Sequence, residues 1–307
     1  MKINVFGSAV ICASILTGSV IGQTKRDAVK LITLDPGHFH AALVQKTMLP
    51  DIDATVHVYA PKGDDVQQHL DKINAYNERK DDPTRWKEEV YLGNDFFDKM
   101  IAEKKGNVVV MAGNNQKKTE YIKRSIDAGF NVLGDKPMAI DKAHFEMLKA
   151  AFVDAAKKKL VLYDIMTERY EITNTLQREF AMLPQVFGTL KKGTPANPAV
   201  EMESIHYFYK YVSGSVLTRP AWFFDVNQEG EGLQDVGVHL VDLAQWLCFP
   251  DKIVNYKRDI QFNDAKRWPA EVTLSQFSAI TKMPGFPAYL KKNVVKDSIL
   301  KVYANGS

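Results

Sequence analysis

Apolar and polar positions follow two different rhythms along this chain. In the first half, short apolar runs stopped by turn residues alternate with longer stretches of helical spacing. Leu31-Ile-Thr-Leu34 is such a run and ends at Asp35-Pro-Gly37, a strand followed by a turn. Phe39 to Leu49 then reads as a helix halted by Pro50, and Ala54 to Ala60 alternates like a second strand. Asn107 to Met111 carries consecutive valines, the pattern of a strand buried on both faces. Thr119 to Ala128 reads as a helix ended by Gly129, Asn131 to Leu133 as a buried strand, Asp141 to Lys159 as a helix, and Lys159 to Tyr163 as a further strand. The polar stretch Asn74 to Glu89 holds Tyr76, Arg79 and Trp86, and reads as an ordered insertion or loop rather than a linker. Strands alternating with helices predict a doubly wound parallel α/β sheet over residues 28–165.

Beyond residue 165 the rhythm changes. Glu201 to Val212 reads as a long strand rich in aromatic residues, and Leu233 to Leu247 as a strongly patterned helix. Lys252 to Phe262 and Ile299 to Tyr303 read as strands. An α+β second domain with an open sheet over residues 166–307 is the expectation. No internal repeat is visible.

The first residues stand apart. From Ile3 to Thr24 no residue is charged, Lys2 precedes this run, and Lys25-Arg26 follow it. With small residues from Ser19 to Gly22, residues 1–24 read as a secretory signal peptide cleaved near Gly22, which predicts export to a periplasm-like compartment. The alternative is a membrane anchor, but Asn4, Ser8, Ser14, Thr17 and Ser19 dilute the apolar run. Cys12 follows Ala9-Val10-Ile11, a poor match to a lipid-modification signal. Cleavage leaves Cys248 as the one cysteine, so no internal disulfide is expected even in an oxidising compartment. Within Ala244-Gln-Trp-Leu-Cys-Phe249 that thiol reads as buried rather than reactive.

Composition excludes more than it proposes. With 40 basic and 37 acidic residues the net charge is +3, which argues against nucleic acid or an acidic membrane surface as the main partner.

Chemistry concentrates in two segments. In Gly230-Glu-Gly-Leu-Gln-Asp-Val-Gly-Val-His-Leu-Val-Asp242, a helix brings Asp235, His239 and Asp242 within about 60° of one another. Val236, Leu240, Leu243 and Leu247 fall on a neighbouring face suited to burial. Carboxylates flanking an imidazole favour its protonated form and suit it to proton transfer; the alternative is a structural histidine on a solvated face. The second segment is Asn131-Val-Leu-Gly-Asp-Lys-Pro-Met138. Its Lys136 lies at the carboxyl end of a parallel strand, where such sheets bind ligands, and Pro137 stiffens the turn that holds it. Alone, this is also the pattern of a surface lysine at a strand end.

Together, Asp135-Lys136-Pro137 and Gly232-x-x-Asp235-x-x-x-His239-x-x-Asp242, with Trp222 before the helix and Arg169 after the strand, resemble the Gfo/Idh/MocA oxidoreductase family. The resemblance runs from about residue 30 to 250, and the family's usual Glu is Asp135 here. It implies a Rossmann domain that holds NAD or NADP, with NAD preferred, and a substrate domain with an open, mainly antiparallel sheet. It also implies that Lys136 and His239 act on a substrate hydroxyl while Asp235 orients or contacts the substrate. Cofactor contacts are then expected from Gly37, His38, Asn114, Asn115, Asp135 and Pro137, and substrate contacts from Arg169, Trp222 and Asp242. The implied substrate is a sugar or sugar derivative, and association into homo-oligomers is in keeping with the family. Two alternatives remain open: a glycosidase-type enzyme that recycles bound NAD, and a non-catalytic carbohydrate-binding relative.

Some positions depart from the family pattern. Where G-x-G-x-x-G should follow the first strand, the chain reads Asp35-Pro-Gly-His-Phe-His40, leaving Gly37 alone to make the turn. The second strand ends at Tyr59-Ala-Pro61 without a carboxylate, and Asp64 and Asp65 come later. His38 and His40 with Asp35 raise the idea of a metal site, but no third ligand cluster supports it, and no metal is expected. Few residues follow the motif helix, and Asn305-Gly306 reads as a hairpin turn whose partner strand is missing. A chain truncated relative to complete relatives, with an unpaired sheet edge, is therefore expected.

Overall fold

The computed structural model describes residues 28–205, 207–212 and 215–307; the expected signal peptide lies outside the described residues. The first strands are β1 (Leu31–Leu34), β2 (Thr55–Ala60), β3 (Lys87–Leu92), β4 (Val108–Met111), β5 (Asn131–Asp135) and β6 (Leu162–Ile165). They form a six-stranded sheet in the order β3-β2-β1-β4-β5-β6. Every pairing in it is parallel, so the expected doubly wound sheet is present. Between the strands run α1 (His40–Leu43), α2 (Asp64–Glu78), α3 (Phe96–Glu103), α4 (Asn115–Asp127) and α5 (Lys142–Lys158). Neighbouring strand residues serve opposite faces. Ile32 and Val109 pack with Met100, Ile122 and Leu148 on one side, while Leu31 and Val110 pack with Ala42, Ile73 and Trp86 on the other.

Local chemistry explains where the chain departs from the expected elements. The helix expected over 39–49 closes after Leu43. Its next carbonyls are taken by side chains: Trp86 Nε1 donates to the Gln45 oxygen at 2.6 Å, and Arg79 to that of Lys46 at 2.8 Å. The stretch expected as an ordered insertion or loop contributes the last third of α2 and the first half of the edge strand β3. In α2 only Val66, His69 and Ile73 are buried, a stripe too narrow to show in the hydrophobic pattern. The charges in Lys-Glu-Glu-Val-Tyr-Leu suit a strand with one open edge.

The remainder comprises α6 (Ile172–Ala181), α7 (Pro184–Phe187), the small antiparallel hairpin β7 (Tyr211–Val212) and β8 (Ser215–Val216), then α8 (Val238–Cys248), β9 (Arg267–Thr273), α9 (Leu274–Thr281), β10 (Val294–Val295) and β11 (Ile299–Gly306). A three-stranded antiparallel sheet has the order β10-β11-β9. Its core joins Val272, Phe277, Leu300 and Val302 to Phe223 and Phe224.

Three expectations fail here. Of Glu201 to Val212 only the last two residues form a strand, because Tyr207, Tyr209 and Tyr211 stand exposed with no apolar face to cover them among the described residues. Lys252 to Phe262 forms turns instead of a strand, with Ile253 and Phe262 left 96% and 86% exposed. Asn305-Gly306 is not a hairpin turn. It continues β11 and pairs with Trp268 and Arg267 of β9, while β10 reaches only Ile299 and Leu300, so the end of β11 has a strand on one side only among the described residues. Gly306 is required there for close packing, since a Cβ would meet the Leu233 side chain at 2.5 Å.

Candidate active site

Lys136 follows the last residue of β5, the strand end where open parallel sheets gather ligands. Its Nζ donates to the backbone oxygen of Asp235 at 2.7 Å and to the carboxylate of the same residue. Both residues are buried. Burial works against the ammonium, but Asp235 and Asp135 outweigh it and hold Lys136 above its ordinary pKa. The peptide bond between Lys136 and Pro137 is cis. Asp235 sits in a π-helical turn, Leu233–Gly237, that leads into α8. Such turns widen the helix locally and recur at functional sites.

His239 lies at the start of α8 and faces the same cleft, but not as an imidazole clasped by two carboxylates. Asp235 is engaged by Lys136, and Asp242 by Arg169, whose Nε donates to it at 2.6 Å with a second guanidinium nitrogen on the other oxygen. Nδ1 of His239 is buried without a hydrogen-bond partner among the described residues. Burial first, then the charge of Lys136, pushes its pKa down to about 4, so the ring is neutral at pH 7. The protonated histidine expected from helical spacing is therefore corrected.

His38 and His40 converge on Asp135. Each Nδ1 lies 2.8 Å from a different carboxylate oxygen. Burial alone would raise the Asp135 pKa, but contact with His38 and the hydrogen bonds from both rings hold it well below the usual carboxylate value. Burial pushes His38 down to about 3, so it carries no charge toward a phosphate at neutral pH. Asp35, first considered as the companion of the two histidines, turns away. It accepts from Asn114 Nδ2 at 2.6 Å and Tyr121 at 3.3 Å, and burial raises its pKa.

Beneath the lysine loop lies a buried layer in which Asn115, expected at the cofactor, meets Lys118 and Glu229, two residues that the sequence did not single out. Lys118, wholly buried, donates to Asn115 at 2.5 Å and to the carbonyl oxygens of Asp135 and Pro137 at 3.1 and 3.3 Å. Asn115 in turn donates to Glu229 at 2.9 Å. Burial lowers Lys118 to about 8 and raises Glu229 well above its ordinary value. The spacing of Asn115, Lys118, Thr119 and Ile122 on one helix face is a signal that exposes a lysine among core positions.

The cleft therefore gathers His38, His40, Lys136, Asp235 and His239 around about 350 Å³ of open space. Arg169, Asp242 and Trp222, expected at the substrate, are not among its lining residues. A second cavity of about 280 Å³ lies at the ends of β1 and β2, lined by Asp35, Gly63, Asp64, Asp65 and Trp222 among others. Its carboxylates at the start of α2 suit the ribose hydroxyls of a dinucleotide. Between the two spaces the fit is tight. The Trp222 ring lies over Gly37, where a Cβ would meet it at 2.8 Å, and its Nε1 donates to Asp65 at 2.7 Å. A dinucleotide spanning both spaces would have to move the tryptophan ring from Gly37.

Two family models match the chain: "Oxidoreductase family, NAD-binding Rossmann fold" over residues 35–164, and "Putative oxidoreductase C terminal domain" over residues 176–307. Among solved structures, a putative oxidoreductase from Parabacteroides merdae is 54% identical, with a TM-score of 0.87 over 91% of this chain and 64% of its own. The chain thus spans less than two thirds of that relative. A putative oxidoreductase from Thermotoga maritima is 13% identical, with a TM-score of 0.50 over 80% of this chain and 62% of its own. A biliverdin reductase from Synechocystis sp. PCC 6803, solved with biliverdin and NADP+, is 14% identical, with a TM-score of 0.50 over 79% of this chain and 63% of its own. The last two share the fold alone. No curated protein matches the chain.

Proposed function

The chain belongs to the Gfo/Idh/MocA oxidoreductase family, and from that premise we propose that it moves a hydride between NAD or NADP and a hydroxyl-bearing carbon of a sugar-like substrate. One observation carries this reading: a buried lysine–aspartate pair at the end of β5 opens onto a cleft with a neutral histidine. Residues 28–165 would serve the cofactor and residues 166–307 the substrate.

When bound, the nicotinamide supplies or accepts the hydride. Lys136, fixed by Asp235, offers its ammonium to the substrate oxygen and stabilises the negative charge that grows there as the proton leaves. His239, neutral at pH 7, takes that proton in the oxidative direction and returns it in the reductive one. Asp235 acts through Lys136, whose direction and charge it maintains. Lys118 supports the same loop from below by binding the carbonyls on either side of Lys136. Asp64 and Asp65 are the groups offered to the ribose hydroxyls, and carboxylates there favour the free 2′-hydroxyl of NAD over the 2′-phosphate of NADP. Among the described residues no helix is long and apolar enough to cross a membrane, and we retain export as part of the proposal.

Two measurements test the reading. Mass spectrometry of the denatured protein should find NAD or NADP, or titration should show one of them binding. With a sugar or polyol that supports turnover, Lys136→Met and His239→Asn should each lower kcat by about 10²–10³-fold with the circular dichroism spectrum unchanged. Turnover at the wild-type rate in either variant would remove that residue from the chemistry.

A further inference from the structure

We propose that His38, His40 and Asp135 form a binding site for a divalent transition-metal ion such as Zn²⁺ or Co²⁺. The potential ligand atoms of the three side chains lie within 4.8 Å of one another. Both imidazoles direct Nδ1 at the carboxylate, one on each oxygen, and their ring centroids are 4.2 Å apart in an edge-on arrangement. Two imidazoles and one carboxylate are a borderline donor set. It suits zinc, iron or cobalt better than calcium or magnesium, which favour all-oxygen surroundings.

The scaffold holds these groups without help from solvent. His40 is 5% exposed and Asp135 1% exposed. His40 opens α1, His38 lies two residues earlier on the β1 turn, and Asp135 closes β5. Satisfying a buried carboxylate requires only donors, and backbone N–H groups at a strand end commonly serve. Here two bulky imidazoles do so from a turn where the family motif has glycines, and both rings also line the open cleft. One side of the cluster therefore has room for water or a substrate oxygen, the arrangement of a catalytic rather than a closed metal site.

A second observation points the same way. His239, in the same cleft, keeps a buried Nδ1 with no partner among the described residues. That orphaned nitrogen marks the cleft as one whose polar groups are not all satisfied by the protein.

Occupancy requires a small adjustment. Metal–nitrogen bonds of about 2.0–2.1 Å in a tetrahedral site place ligand atoms about 3.3 Å apart. The two nitrogen–oxygen separations of 2.8 Å would open by about half an ångström. Each neutral imidazole would carry its hydrogen on Nε2 rather than Nδ1. The nearby Lys136 ammonium repels a cation, but its charge is already paired with Asp235.

The test uses the full chain, stripped with a chelator, and does not depend on turnover or on the proposed cofactor. Calorimetric titration with Zn²⁺ should show one equivalent bound with Kd of about 10 μM or tighter, and Co²⁺ should give the visible absorption of a low-symmetry site. His38→Ala and His40→Gln should each weaken Zn²⁺ binding at least about 100-fold, and Asp135→Asn likewise, with thermal melts confirming that each variant is folded. His144→Ala, altering a separate histidine that pairs with Asp141, should leave binding unchanged. If His40→Gln fails to fold, His38, the more accessible of the two histidines, provides the decisive variant. No binding by the folded wild type, or equal binding in His38→Ala, would overturn the proposal.

Discussion

His69 is the plainest case of a residue whose environment sets its chemistry. It lies on the buried face of α2, and neither ring nitrogen has a hydrogen-bond partner among the described residues. Burial, then the charge of Lys72, lowers its pKa from 6.5 to about 4. His239 falls to about 4 and His38 to about 3, each chiefly through burial. Between pH 6.5 and about 4 the unfolded chain therefore binds protons at these positions that the folded chain refuses. Their stabilising effect is complete above pH 6.5 and is lost as the pH falls. Glu88 and Asp65 oppose this, because burial raises them to about 7 and about 6, and their effect is lost as the pH rises. Replacing His69 with Leu isolates the first effect. Relative to wild type, the variant should gain up to about 2 kcal/mol more at pH 5 than at pH 7, measured by urea unfolding at both values. An equal change at both would mean that the folded chain binds a proton at His69 as readily as the unfolded chain does. At this scale spacing singled out Lys136, Asp235 and His239, but a surface lysine or a structural histidine fits the same spacing, and only the family resemblance gave them roles. The partners of Asp235 and Asp242 were not legible, because only the tertiary fold brings lysine and arginine to them.

At the scale of elements, the turn after β1 depends on its contact with the turn after β4. Gly113 adopts φ of 108°, and a Cβ there would lie 2.6 Å from the backbone of Gly37. Flexible side chains move aside for such a contact, but backbone does not. Gly113→Ala should therefore destabilise the protein by about 3 kcal/mol or more, combining strain at positive φ with overpacking. The urea midpoint checks this, and a change below about 1 kcal/mol would show that the two turns separate easily. The parallel strands were legible because burial on both faces writes an uninterrupted apolar run. Others were hidden for physical reasons. β3 is a charged edge strand, and α1 ends where Trp86 and Arg79 take its carbonyls. The aromatic pattern of 201–212 mimics a strand, but only Phe208 packs against the second core, and Tyr207, Tyr209 and Tyr211 stay exposed.

Across the whole molecule, Trp222 ties the two halves together at the point a dinucleotide would cross. It belongs to the second half of the chain, yet it covers Gly37 and donates to Asp65 at the start of α2. The sequence placed it at the substrate, because a motif gives a residue's position along the chain but not which cavity it enters. In the proposed cofactor-bound form the ring leaves Gly37, and its hydrogen bond to a carboxylate must break. Such a bond contributes about 1.5–3 kcal/mol. Trp222→Ala no longer bears that cost, so its affinity for NAD or NADP should rise about tenfold, the equivalent of about 1.4 kcal/mol. In the wild type the indole fluorescence should change on titration, and most of that change should vanish in the variant. The sign of the affinity change separates two roles for the same side chain. A rise identifies the tryptophan as a cover that binding displaces. A fall would mean that the ring stays and stacks on the bound dinucleotide, so that its place over Gly37 belongs to recognition.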